Sequence, residues 1–340
     1  MKSYLEKITR GEDLTITEME QATRLMFDAS TDPAAVGGFL IGLKQKKEAV
    51  SELTGLVNVI RAQAVLLPEA LPKAMDNCGT GGDGSMSFNI STTSAFVVAG
   101  AGITVSKHGN RSISSKTGSA DVLEALGVNI NLNPDQTYKL LKLNGIAFLF
   151  AQNVHPKMKQ VTGIRRALGI PTIFNLIGPL TNPVELTTQL VGIYRRDLLM
   201  EMAATLHQLG RKRAVVINGP DFMDEAALHG DTHGVLVEGG ELLPFTISPK
   251  DVGLNYVDVS EIKGGDALEN AEILRRVLEG ESGPHRDTVL LNAALAIFAE
   301  GTAQTVKEGV QLAKESIDQG HALKKLETMI AFSKEQEVTT

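Results

Sequence analysis

Four glycines fall within six residues at Gly79-Thr80-Gly81-Gly82-Asp83-Gly84. Glycine loses more conformational freedom on folding than any other residue, so this density belongs where the backbone must turn tightly or let a ligand approach. The flanks set the architecture. Ala74 to Asn77 before it reads as a short strand, and Ser91 to Ala99 after it reads as a helix ended by Gly100 and Gly102. Ile103-Thr104-Val105 reads as the next strand. A β-loop-α-β unit of this kind is the building block of a parallel sheet. Ile146 to Phe150 and Ala214 to Asn218 are further short apolar runs bounded by turn residues, as in a sheet buried on both faces. The expected fold class is α/β, with a mostly parallel central sheet flanked by helices.

The first 67 residues or so read differently. Thr15 and Glu18 have capping-box spacing before Met19 to Phe27, and Asp32-Pro33 opens a second helix. A third runs from about Glu48 to Ala64, with Leu53, Leu56, Val57 and Ile60 on one face. Pro68 and Pro72 bracket a linker, which places a domain boundary near residue 70. Farther on, Ser119 is expected to cap a helix from Ala120 to Leu126, with Gly127 ending it. The last eighty residues read as mostly helical, with caps at Asp266, Asp287 and Thr302.

Composition narrows the function. The 340 residues carry a net charge of −7, which disfavours nucleic acid and anionic lipid as partners. An anionic small ligand then needs positive charge gathered locally. One cysteine, Cys78, fits a reducing compartment. Charges interrupt the N-terminus too early for a signal peptide, and no apolar run approaches a membrane span, so the expectation is a soluble, cytoplasmic protein.

The glycine loop matches G-x-G-x-x-G literally, but a dinucleotide site needs the helix to open at the loop and an acid after the next strand. Here the helix starts later, and Lys107-His108 follows the strand. No Lys-Ser or Lys-Thr follows the loop, so it is not a Walker A loop either. Glycines that expose backbone N–H groups to phosphate remain. Asn89-Ile90-Ser91-Thr92-Thr93 sits where the next helix begins, and a helix N-terminus is an anion site. Lys107-His108-Gly109-Asn110-Arg111-Ser112-Ile113-Ser114-Ser115-Lys116 forms a local positive island in an acidic chain. Each cation–anion contact there would carry a Coulomb term of about 4 kcal/mol before desolvation. Asp224-Glu225 would repel such an anion unless Mg²⁺ bridged them. Arg165, beside the stripe Met158, Val161, Ile164 and Leu168, suits a carboxylate. Three features point elsewhere: the His229–Gly230–His233 spacing reads as a turn, Cys78 as a packed residue, and no G-x-S-x-G element occurs.

Taken in order and spacing, these residues resemble the anthranilate phosphoribosyltransferases over nearly the whole chain. The resemblance rests on Gly79 to Asp83, Asn89 to Thr92, Lys107 to Arg111, Ser114-Ser115 and Gly118-Ser119-Ala120-Asp121, and on the block Arg165 to Pro183 and Asp224-Glu225. Ser87 and Ser106 stand where the family often has threonine and alanine. The resemblance implies the nucleoside phosphorylase/phosphoribosyltransferase type of fold: a small all-helical domain, residues 1–70 joined by about 165–185, and an α/β domain of 71–164 and 186–340. It implies a homodimer formed through the helical domain. It also implies transfer of the phosphoribosyl group of phosphoribosyl pyrophosphate to anthranilate, in tryptophan biosynthesis. Gly79, Gly82, Asp83, Ser87, Asn89, Ile90, Ser91, Thr92, Lys107, His108, Gly109, Asn110, Arg111, Ser112, Ile113, Ser114, Ser115 and Ser119 would hold the phosphosugar. Ser91, Asp224 and Glu225 would hold Mg²⁺. Gly79, Asn110, Arg165 and His155 would position anthranilate, with no general base strictly required. The alternatives are a pyrimidine nucleoside phosphorylase, where Lys-His-Ser would replace Lys107-His108-Gly109, and a non-catalytic relative that binds nucleic acid.

Overall fold

The computed structural model describes residues 1–111 and 117–338. It opens with four helices: α1 Lys2–Thr9, α2 Ile16–Met26, α3 Pro33–Lys46 and α4 Val50–Ala62. The expected caps are present. Thr15 and Glu18 exchange capping-box bonds at α2, at 2.8 and 3.2 Å. Asp32 accepts from the Ala34 N–H at 2.8 Å, with Pro33 as the first residue of α3. Leu53, Leu56, Val57 and Ile60 are buried, and the apolar cluster around them also takes in Val161, Ile173, Phe174 and Leu180.

The sheet strands are β1 Met75–Asp76, β2 Val105–Gly109, β3 Ile146–Phe150, β4 Thr188–Gly192, β5 Arg213–Asn218, β6 Thr232–Glu238 and β7 Glu241–Ile247. Their order is β3-β2-β1-β4-β5-β6-β7. The first five in that order are parallel, and β6 and β7 run antiparallel at one edge. The chain winds outward in one direction through β2 and β3 and in the other through β4 and β5. The order therefore reverses at β1 and β4, which is where open α/β sheets open a crevice beyond the carboxyl ends of their strands. The glycine loop leaves β1 at that point.

The remaining helices are α5 Ile90–Gly100, α6 Ser119–Ala125, α7 Pro134–Asn144, α8 Ala151–Val154, α9 Lys159–Leu168, α10 Leu199–Gln208, α11 Ala267–Leu278, α12 Pro284–Glu300, α13 Val306–Asp318 and α14 His321–Val338, of which α9 packs against α3 of the N-terminal bundle. Four local expectations shift. The strand expected at Ile103–Val105 runs later, so Lys107 and His108 lie inside β2 and are buried. Gly118, not Ser119, precedes α6, and its N–H is taken by the Asp121 carboxylate at 2.9 Å. Asp287 sits in the first turn of α12, behind Gly283 and Pro284, and is not its cap. Thr305, not Thr302, caps α13 by accepting from the Glu308 N–H at 3.1 Å.

Candidate active site

The glycine loop is shaped by its glycines. Gly81, Gly82 and Gly84 have φ of +67°, +81° and +74°, a region that residues with a Cβ rarely adopt. The loop is laced to the end of β4, since the Thr80 N–H donates to the Gly192 carbonyl at 2.9 Å. Gly79 has a different role: a Cβ there would overlap the Asp224 carboxylate. Gly192 and Gly219 likewise leave space for the carbonyls of Asp224 and Glu225. Three glycines from three loops thus admit one acidic segment to the carboxyl ends of the strands.

Asp224 and Glu225 reach the residues the sequence set aside for phosphate. The Gly81 N–H donates to Asp224 Oδ2 at 2.6 Å, and the Asp224 N–H donates to Asp83 Oδ2 at 3.4 Å. The Ser91 N–H, in the first turn of α5, donates to Glu225 Oε1 at 3.2 Å. Lys107 Nζ lies 3.5 Å from Ser91 Oγ. Burial pushes the Asp224 carboxyl up to about 7, and the Asp83 carboxylate adds to the shift. Burial raises Glu225 well above the usual carboxylate range, with the Asp224 charge acting in the same direction. Two buried acids and a third carboxylate outnumber the one lysine beside them, Lys107. A hard divalent cation takes oxygen donors of this kind. Asp83, Ser91, Asp224 and Glu225 could therefore hold Mg²⁺, a set that adds Asp83, expected on the phosphosugar, to the three residues expected at the metal.

Around this cluster, Asn89 precedes α5 and Ile90 and Thr92 lie in its first turn. Asn89 Oδ1 and Thr92 Oγ1 are buried without a hydrogen-bond partner among the described residues. Ser87 pairs with Lys263 in an isolated bridge. Gly109 ends β2, where a Cβ would overlap Ser119 Oγ and the Phe148 ring. The Asn110 carbonyl accepts from Ser119 Oγ at 3.2 Å.

The described part of the positive island, Lys107 to Arg111, carries little free positive charge. Lys107 is a buried cation at the cluster. His108 is held down to about 3, first by burial and then by His155, so it is neutral near pH 7. Arg111 is engaged by Asp121 at 2.7 Å and Glu124 at 2.5 Å, with its guanidinium 5.6 Å from the centre of the Phe150 ring. Ser112, Ile113, Ser114, Ser115 and Lys116 lie outside the described residues.

A second group gathers nearby. The rings of His108 and His155 meet edge to face at 5.3 Å, and His108 Nδ1 lies 3.2 Å from the Gly178 carbonyl. Burial lowers His155 to about 4. Arg165 is in the last turn of α9, its guanidinium 5.3 Å from the centre of the Phe174 ring. Among the described residues it has no ion-pair partner, although burial lowers its pKa. The structure thus gathers the glycine loop, Ser91, Lys107 and the acidic pair tightly, and pairs His108 with His155. Arg165 stands on a separate element, carried by the same bundle cluster as Phe174.

Sequence reasoning missed Asp76. Its fully buried carboxylate accepts from the Asn77 N–H at 2.8 Å, the His108 N–H at 3.3 Å and Asn182 Nδ2 at 3.0 Å. It ties β1, β2 and the segment after α9 together beneath the site. The signal was legible, because an acid inside the apolar run Ala74 to Asn77 needs partners. Cys78 is buried beside Asp76 and His108, and burial raises its thiol well above the ordinary range, which leaves it a packed residue.

The family described as "Glycosyl transferase family, a/b domain" matches residues 71–323, and "Glycosyl transferase family, helical bundle domain" matches residues 2–64. The anthranilate phosphoribosyltransferase of Exiguobacterium sibiricum is 55% identical over 99% of this chain and 100% of its own length. The crystal structure of the Thermus thermophilus anthranilate phosphoribosyltransferase superposes with a TM-score of 0.92 at 37% identity, covering 97% of this chain and 99% of that one. The Saccharomyces cerevisiae enzyme, solved in complex with PRPP and Mg, superposes with a TM-score of 0.89 at 29% identity, covering 98% of both chains.

Proposed function

This chain belongs to the anthranilate phosphoribosyltransferases of the glycosyl transferase family, and from that premise we propose how its residues divide the work. The reaction moves the 5-phosphoribosyl group of 5-phosphoribosyl 1-pyrophosphate onto the amine of anthranilate. The products are N-(5-phosphoribosyl)anthranilate and pyrophosphate, in tryptophan biosynthesis. The observation that carries the site reading is the acidic pair brought against Ser91 and the Gly81 N–H at the carboxyl ends of the strands.

Gly79, Gly82 and Asp83, the start of α5 from Asn89 to Thr92, Ser87, and the stretch Lys107 to Ser115 with Ser119 bind the phosphosugar. Lys107 supplies a buried positive charge to its phosphates. Asp224, Glu225 and Ser91, with Asp83, hold Mg²⁺, which neutralises charge on the departing pyrophosphate when bound. Arg165 receives the anthranilate carboxylate, and Gly79, Asn110 and His155 line the same position. The neutral rings of His108 and His155 offer nitrogens for hydrogen bonding without adding charge. The amine lone pair forms the new bond to the ribose carbon as the bond to pyrophosphate breaks, and the amine then gives up a proton. An aromatic amine is already a neutral nucleophile, so the chain's task is positioning and electrostatic stabilisation.

On this reading the substrates meet between a helical part, residues 1–70 with about 165–185, and an α/β part, 71–164 with 186–340. Two copies pair through the helical part. The buried, protonated Cys78 suits a cytoplasmic setting.

Initial-rate kinetics test the assignment of Arg165. Losing one charge-assisted contact costs about 1.5–3 kcal/mol, so Arg165→Ala raises KM for anthranilate by about tenfold to a hundredfold. KM for the phosphosugar stays near wild type. Equal increases in both would remove Arg165 from the anthranilate site.

A further inference from the structure

We propose that Arg196 is a positioning residue for the acidic pair: it fixes the loop that presents Asp224 and Glu225, and so sets how tightly Mg²⁺ is held. This rests on the reading of that pair as the metal site.

Arg196 begins the short turn Arg196–Leu198 that leads into α10. It touches neither carboxylate. Its Nε donates to Asn218 Oδ1 at 2.6 Å and its Nη2 donates to the Gly219 carbonyl at 2.9 Å. Its guanidinium lies 5.0 Å from the centre of the exposed Phe222 ring. One side chain therefore grips the end of β5 and the loop beyond it. With its oxygen held by Arg196, the buried Asn218 amide points its Nδ2 at two carbonyls, Ile193 at 2.7 Å and Met223 at 3.3 Å. That amide joins the end of β4 to the residue just before Asp224.

The loop needs such a hold. Asp221 and Phe222 have φ of +51° and +63°, in the left-handed region that residues with a Cβ disfavour. Closure comes from the Gly219 N–H to the Met223 carbonyl at 2.8 Å and from the grip of Arg196. Beyond Met223 there is no slack, because the carbonyls of Asp224 and Glu225 fill the space a Cβ would take on Gly192 and Gly219. A shift at Met223 is passed directly to both carboxylates. Lysine cannot replace this arrangement, since a single ammonium lacks the planar fork that serves two acceptors while stacking on a ring.

The experiment is a Mg²⁺ titration of the initial rate for the full-length wild type, Arg196→Met and Arg196→Lys, at saturating phosphosugar and anthranilate. Thermal melting and KM for anthranilate are measured alongside. Loss of a residue that orients a metal ligand weakens metal affinity by about tenfold or more, and half-saturating Mg²⁺ for Arg196→Met rises by that factor. Arg196→Lys shifts in the same direction by less. In both, kcat recovers at high Mg²⁺ and KM for anthranilate stays at the wild-type value. A lower melting temperature with unmoved half-saturating Mg²⁺ in either folded variant overturns the proposal. A wild type whose rate ignores Mg²⁺ overturns the metal site itself, and this inference with it.

Discussion

At the scale of single residues, charge explains more than residue identity does. Three basic side chains in ten positions read as a cationic loop, and the two that the structure describes are altered by their surroundings. Lys107 is buried in a strand, Arg111 is neutralised by Asp121 and Glu124, and Lys116 lies outside the described residues. The acidic side of the site is equally shaped by burial. Asp224, pushed up to about 7 by burial and then by Asp83, gains a proton on folding between its ordinary range and that value. The sign follows: a carboxyl whose folded pKa is raised stabilises the metal-free fold at low pH and loses that contribution as pH rises through about 7. Melting temperatures of metal-free wild type and Asp224→Asn, measured from pH 4 to 8.5, should therefore converge at the low end. The wild type should fall relative to the variant as pH rises from the ordinary carboxylate range to about 7, and stay offset by a constant amount above it. Mg²⁺ should restore the wild type above that pH and raise Asp224→Asn by much less. Parallel curves for the two proteins, with or without Mg²⁺, would mean that Asp224 is not the raised, metal-accepting acid.

At the scale of elements, glycines decide which loops can converge. The glycine loop was legible in the sequence because four glycines in six residues have few other uses. Gly192 and Gly219 were not, because each is an ordinary strand-end glycine until the Asp224 and Glu225 carbonyls are seen against it. Gly192→Ala forces the Asp224 backbone away, and overpacking of this kind typically costs about 1–3 kcal/mol. Denaturant melts should show a loss of that order, and the Mg²⁺-dependent rate should fall much further than stability does. A Gly192→Ala protein with wild-type Mg²⁺ dependence would refute this use of the glycine. The same limit on sequence reading governs the strands. Ile146–Phe150 and Arg213–Asn218 declared themselves as apolar runs, whereas β4, Thr188–Gly192, mixes threonine and glutamine with its apolar residues. Gln189 is buried because neighbouring segments satisfy it: its Nε2 donates to the Pro179 carbonyl at 2.5 Å and its Oε1 accepts from Arg211 Nε at 2.9 Å. Such partners are distant in sequence, so no local pattern announces them. The β2 strand was placed too early for a related reason. Lys107 and His108 look like loop residues until Asp76, Ser91 and His155 are seen to receive them.

At the scale of the whole molecule, the sheet order places these elements together. The reversal at β1 and β4 gathers the loops after β1, β2, β4 and β5 over one crevice. The helical bundle, with the segment after α9 built into its core, carries Arg165 and Phe174. Asp76 and Asn182 join that segment to the strands beneath the crevice. This arrangement suits a two-substrate transfer, with the acidic pair and Lys107 on the sheet and Arg165 borne on the bundle. The site so assembled joins an aromatic amine to a pyrophosphorylated ribose. This is tested most directly by mixing the purified chain with anthranilate, phosphoribosyl pyrophosphate and Mg²⁺, and following anthranilate fluorescence and released pyrophosphate together. The expected result is fluorescence loss with one pyrophosphate per anthranilate consumed, abolished when either substrate is withheld and strongly reduced by chelation of Mg²⁺. Unchanged anthranilate fluorescence with no pyrophosphate released, from folded protein with Mg²⁺ present, would contradict it.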